Sequence, residues 1–139
     1  MHQYQRQIEI ATRRQGLFEF TREVIDIVRD ARVSEGVVTV FCQHTSCSLL
    51  INENADPEVR VDLEAFLKRL VPDGDPAFIH TLEGPDDMPA HIKTALTATS
   101  LSIPIAGGHM ALGTWQGIYL FEHRVAPHRR DIIVHVIGS

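Results

Sequence analysis

No stretch of this 139-residue sequence is apolar for anything near the ~20 residues a membrane-crossing helix needs, so no membrane partner is expected. The opening residues, MHQYQRQ, lack the apolar run of a signal peptide, which makes the cytoplasm the expected location. Cysteine is scarce. Cys42 and Cys47 stand five apart, match no zinc pair, and in that compartment are not expected to form a disulfide. No RNA- or DNA-binding motif occurs and the basic groups are too few for a nucleic-acid face, so nucleic acid is not an expected partner. Internal repeats and linkers are also missing. At this length residues 1–139 form one domain, able to bury roughly 68–70% of the unfolded surface.

What remains is an ordinary globular composition, 44% apolar and 22% charged. The net charge of −5 is unevenly spread: residues 53–87 hold ten acids against three bases, so that segment carries −7 and the rest +2. Near the C-terminus His123, Arg124, His128, Arg129, Arg130 and His135 face one acid, Asp131. An acidic middle and a basic end suit a metal ion plus a phosphorylated small molecule, although solvated surface explains either cluster alone.

Residues 3–12 alternate as a strand does, a turn follows at Arg13–Gly16, and residues 17–20 form a second short strand, which predicts an opening hairpin. Thr21 is placed to cap a helix whose buried stripe is Val24, Ile25, Val28 and Ala31. The run Val37–Cys42 predicts a buried central strand ending near His44. Residues 49–52 extend again. Asp56-Pro57-Glu58 then starts a second helix, with Val59, Leu63, Phe66, Leu67 and Leu70 on its apolar face. Residues 77–89 read as irregular loop, Pro89–Leu96 as a third helix, and the rest as strands near 101–105, 109–112, 116–123 and 131–137. About seven strands and three helices, not in simple alternation, predict an α+β fold with a mostly antiparallel sheet or sandwich.

The segment QHTSCSLLINENAD, residues 43–56, packs an unusual density of hydrogen-bonding groups around Leu49-Leu50-Ile51. Residue by residue it reads as a strand end and a helix cap; as a group it reads as the wall of a site. His44, His80 and His91, the histidines within the strings QHTSCSLLINENAD and HTLEGPDDMPAHIK, are candidate metal ligands, since three neutral imidazoles can hold Zn²⁺ and leave a position open. Their spacing matches no local signature, so separate hydrogen-bonding histidines are an equal reading. Glu53 is the better candidate base, Asp56 the better cap, and Asn52 could position a ligand. Glu83, Asp86 and Asp87 either face water or orient metal ligands from behind. Trp115 and Gln116 could stack on and hydrogen-bond a ring. Glu122 sits oddly in an apolar strand, and Arg124, Arg129 and Arg130 could clamp phosphate.

The strings QHTSCSLLINENADPEVRVDLEAFL, HTLEGPDDMPAHIKTALTATSLSIPI, LGTWQGIYLFEHR and RRDIIVHVIG, in that order, resemble the YjbQ family, also called secondary thiamine-phosphate synthase. The resemblance runs from about Tyr4 to Gly138. It implies a seven-stranded β-sandwich with flanking helices, assembled as a homotrimer with clefts near the subunit interfaces. It also implies coupling of hydroxymethylpyrimidine diphosphate with thiazole phosphate, giving thiamine phosphate and diphosphate. On that expectation a divalent ion, Zn or Mg, is held by His44, His80 and His91. Glu53, Asn52 and Glu122 serve the reaction, and Thr45, Ser46, Trp115, Gln116, Arg129 and Arg130 bind substrate. Metal-dependent hydrolysis of a phosphoester or amide, and a trimeric binding protein without a reaction, are the alternatives. Cys47 departs from the family pattern, which commonly has alanine there; the expected role is filler.

Overall fold

A computed structural model describes residues 1–139 as three helices and eight strands. The strands are β1 (His2–Thr12), β2 (Gly16–Glu19), β3 (Gly36–Cys42), β4 (Cys47–Glu53), β5 (Ser100–Ala106), β6 (His109–Met110), β7 (Gln116–Glu122) and β8 (His128–Gly138). The helices are α1 (Thr21–Ala31), α2 (Pro57–Leu70) and α3 (Asp87–Leu96). The α+β class holds, and every paired neighbour is antiparallel. The count is eight strands rather than seven. No helix is long and apolar enough to cross a membrane.

The larger sheet runs β1-β8-β3-β5-β6 and the smaller β2-β7-β4. Alternation along β3 and β8 turns Val38, Val40, Ile132, Val134 and Val136 into one core, which Leu49, Ile118 and Leu120 of the smaller sheet also enter. Strand β7 lies between β2 and β4 and is buried on both faces. Its other set, Tyr119 and Phe121, joins Leu17 in a second cluster covered by Leu63 and Leu67 of α2. These two faces explain the unbroken apolar run in its sequence.

Three local expectations are corrected. The opening hairpin does not form, because β1 finds in β8 a partner of equal length, paired in register from His2↔Gly138 to Thr12↔His128. The turn at Arg13–Gln15 therefore switches sheets, and β2 pairs β7. Thr21 does not cap α1. Its hydroxyl accepts the Ile118 N–H at 2.8 Å and donates to Glu19 Oε2, while Phe20 holds the cap position without a side-chain bond. Ile25 points outward and Ile27 takes its place in the stripe, so the buried set is Val24, Ile27, Val28 and Ala31.

The second helix starts as read. Asp56 accepts the Glu58 N–H at 2.9 Å and Pro57 occupies the first helical position. Its apolar face is only partly covered, however; Phe66 and Leu70 stay exposed. Helix α3 begins two residues before Pro89, at Asp87, which brings that carboxylate onto the helix.

Candidate functional site

Asp87 in the first turn of α3 and His91 one turn later share a helix face, as residues four apart do. The preceding loop folds back to lay His80 beside them. His80 Nε2 is 2.7 Å and His91 Nε2 3.1 Å from Asp87 Oδ2, and the three donor atoms lie within 4.8 Å of one another. Asp87 is 2% exposed, whereas the side chains of His80 and His91 keep 46% and 33%, so the group opens outward.

Two neighbours fix its chemistry. The His91 Nδ1 lies 3.0 Å from the Thr45 carbonyl oxygen, which can only accept, so Nδ1 carries the hydrogen. Nε2 then meets the carboxylate oxygen as an N–H in the protonated ring and as a lone pair in the neutral one. Two acceptors at that distance call for a proton or a cation between them. On the other side Arg124 donates from Nη1 to Asp87 Oδ1 at 2.8 Å, from Nε to Asp86 Oδ2 at 3.0 Å, and from Nη2 to the Glu83 carbonyl. Arg124 thereby occupies one Asp87 oxygen and leaves Oδ2 to the imidazoles. Burial works to raise the Asp87 carboxyl. The His80 hydrogen bond and the charges of Arg124 and His91 outweigh it, holding the group below the usual carboxylate range. Asp86 is likewise held low, its burial offset by the Val125 N–H and Arg124.

Two imidazole nitrogens and one carboxylate oxygen, anchored from behind and open in front, fit a divalent cation with a free position. The nitrogen donors suit Zn²⁺ and its neighbours rather than Mg²⁺, which takes oxygen ligands.

His44 is not part of this group. Its Nε2 accepts the Asp131 N–H at 2.8 Å, and Nδ1 sits 3.5 Å from Arg130 Nη1. Burial and the Arg130 charge push the ring below its ordinary value, keeping it neutral in that role. Glu122 is also committed. Fully buried, it accepts from Thr12 at 2.6 Å, from Arg130 Nε at 2.7 Å, and through its other oxygen from Arg130 Nη2 and the Arg124 N–H. Burial raises its carboxyl, and the bonds from Arg130 and Thr12 more than reverse this. A carboxylate with its acceptor sites so filled holds the fold together and is no general base. Arg130 spends its remaining contacts on Ser46, with Nη2 3.0 Å from the hydroxyl, so neither is free to grip a phosphate. Arg129 points outward and pairs with Glu9 at 3.0 Å.

The remaining candidates lie at the opposite end of the smaller sheet. The β4–β7 register runs from Cys47↔Glu122, beside Thr45 and Arg124, to Glu53↔Gln116. Six residue steps separate these ends, about 20 Å. There Asn52 Oδ1 accepts the Glu53 N–H, Glu53 Oε2 accepts the Asp56 N–H, and exposed Trp115 borders a shallow cleft with both acids. Gln116 turns away to accept the Gly113 N–H. One subunit thus cannot place Glu53, Trp115 or Gln116 at the His80–Asp87–His91 group. Cys47 is fully buried, its sulfur 3.4 Å from that of Cys42, and the Cys42 contact together with burial pushes its thiol far up. It is an inert core residue.

The sequence reading had Asp87 either facing water or behind the ligands, and Arg124 as one of three candidate phosphate clamps. The usable signal was the Asp87/His91 spacing of four, legible once both fall on one helix.

The family model for UPF0047 protein YjbQ-like matches residues 6–139. The chain belongs to the YjbQ family. Within it, the UPF0047 protein of Synechocystis sp. is 50% identical over 99% of this chain and 93% of its own length. The YjbQ protein of Escherichia coli O157:H7 is 43% identical over 98% of this chain and 99% of its own. Among solved structures, a YjbQ-like protein of unknown function from Sulfolobus solfataricus superposes with a TM-score of 0.90 at 25% identity, covering 99% and 98% of the two chains. A YjbQ/UPF0047 protein from Clostridium acetobutylicum gives 0.83 at 36% identity, covering 94% and 99%.

Proposed function

We propose that His80, Asp87 and His91 hold a divalent ion of the Zn²⁺ type and that this YjbQ-family protein uses the site on a phosphorylated small molecule. The reaction we assign is the coupling of hydroxymethylpyrimidine diphosphate with thiazole phosphate. The observation that carries the metal reading is the convergence of one ligand atom each from His80, Asp87 and His91 within 4.8 Å, with His91 Nδ1 already taken by the Thr45 carbonyl. When bound, such an ion supplies a Lewis acid for the charge that grows on a departing diphosphate oxygen. The chain's own residues prepare the place. Arg124 holds Asp87 still and ionised, Thr45 orients His91, and the loop carrying His80 leaves the front open.

Ring recognition by Trp115, about 20 Å away in the same subunit by the strand count, belongs in this proposal to a neighbouring subunit. The homotrimer that this requires, its eight strands packed as a sandwich, is part of the same reading. It is supported by Ile79 and Leu82 on either side of His80, which are 98% and 99% exposed and need cover. The lack of a ring-binding residue near the metal group within one subunit favours the second reading, metal-assisted hydrolysis of a phosphoester.

Elemental analysis of purified protein, then incubation with both half-molecules and Zn²⁺ or Mg²⁺, tests the proposal. Thiamine phosphate should form, and His80→Ala and Asp87→Asn should lose both metal and product. His44→Ala should keep its metal. Metal without product, joined by phosphoester cleavage, shifts the assignment to hydrolysis; metal content equal to that of His80→Ala removes the site.

A further inference from the structure

Residues 74–85, the loop that carries His80, leave the body of the chain and return to it through two glycines. Gly74 and Gly84 have φ of +77° and +106°, a region that residues with side chains rarely enter, so the backbone turns sharply at both feet. The feet are tied. The Gly74 N–H donates to the Pro85 carbonyl at 3.1 Å, and Arg124 Nη2 donates to the Glu83 carbonyl at 2.8 Å. Between Asp75 and Glu83 only Phe78 is half-buried; every other residue is exposed.

Almost nothing holds the span between the feet. Asp75 accepts the Ala77 and Phe78 N–H groups, and the Thr81 carbonyl accepts the Gly84 N–H, all within the loop. One hydrogen bond from residues 75–82 leaves it: His80 Nε2–H donates to Asp87 Oδ2 at 2.7 Å. Packing adds little. The loop curls around an open cavity of about 380 Å³, to which Met88 is the one wall supplied from outside residues 74–85. Ile79 and Leu82 are exposed, so they bind the loop to nothing in the same subunit. A segment with so few buried apolar contacts and with backbone groups turned to water opens at little cost.

A hydrogen bond from a half-exposed ring is a weak catch, because water competes for both partners. An ion held jointly with Asp87 and His91 is a stronger one, since the closed loop offers it three ligands and the open loop two. Asp87 and His91 are fixed on α3 by Arg124 and the Thr45 carbonyl, and only His80 rides on the loop. We infer that residues 74–85 are a latch with His80 as its catch. Without an ion the loop swings on Gly74 and Gly84; with one it is pinned against α3. The ion meets Asp87 and His91 first and His80 closes on it, so entry and release both pass through the open loop. This latch rests on the metal site proposed for His80, Asp87 and His91, and is independent of the reaction assigned to it.

Limited proteolysis of the full chain reads the latch. Chymotrypsin should nick chelator-treated protein after Phe78 or Leu82, and saturating Zn²⁺ should slow that nicking by about tenfold or more. His80→Ala should be nicked faster than the ion-free unaltered protein and gain nothing from Zn²⁺, which also controls for any effect of the ion on the protease. His91→Ala keeps the His80–Asp87 bond but lacks an ion ligand. It should be nicked at the ion-free rate at Zn²⁺ concentrations that protect the unaltered chain. Zn²⁺ bound by elemental analysis with nicking unchanged, or a loop equally resistant with and without the ion, would overturn the latch and leave the metal site standing. Failure to bind Zn²⁺ at all removes both.

Discussion

Arg124 shows how much of the site rests on one side chain that touches no proposed substrate. Its guanidinium joins Asp86, Asp87 and the Glu83 carbonyl, so the ligand carboxylate is aimed before any cation arrives. Arg124→Leu should therefore weaken Zn²⁺ binding 10–100-fold, read by competition with a chromogenic chelator, while the far-UV spectrum stays unchanged. Glu122 and Arg130 behave differently. Removing one charge of a buried pair leaves the other uncompensated, so Glu122→Gln should cost about 3–5 kcal/mol in urea unfolding. The double change Glu122→Leu with Arg130→Met should recover much of that loss. His80 and His91 could be picked from the sequence only because they sit in the strings that carry the family resemblance. His44 could not be dismissed there, since the backbone N–H that captures its ring is 87 residues away.

Among the elements, those governed by neighbouring residues were legible. The cap–proline–acid start of α2 follows from local hydrogen bonding and a fixed proline φ, and it forms as read. Asp56→Ala should cost about 1 kcal/mol of stability by chemical denaturation, without altering metal content. The alternation of β1 and the β-branched run of β3 also announced strands. Their partners were hidden, because pairing is decided by which strand offers the longest ladder. An eleven-residue match between β1 and β8 displaced the nearby hairpin. The beginning of α3 was misplaced by two residues, and this small shift separates a carboxylate behind the site from one inside it.

For the molecule as a whole, His123 makes stability depend on pH. Burial, with the charge of Lys93, holds the imidazole down to about 3 against an ordinary 6.5, so the native ring is neutral. Between those values the unfolded chain binds the proton and the folded chain does not. Stability from this group is thus complete above pH 6.5 and falls on acidification towards 3, at up to about 1.4 kcal/mol per pH unit. His123→Gln should remove that contribution, seen in the difference between the two unfolding free energies across pH 4–6.5. Composition, periodicity and caps determined the α+β class and most element positions, because each depends on contacts within a few residues. Three things waited for the tertiary structure: the exchange of His44 for Asp87, the confinement of Arg130 to Glu122, and the separation of Trp115 from the imidazoles. Each turns on a hydrogen-bonding group or a strand register brought in from a distant part of the chain, and no local pattern encodes which of several competing partners a side chain will meet.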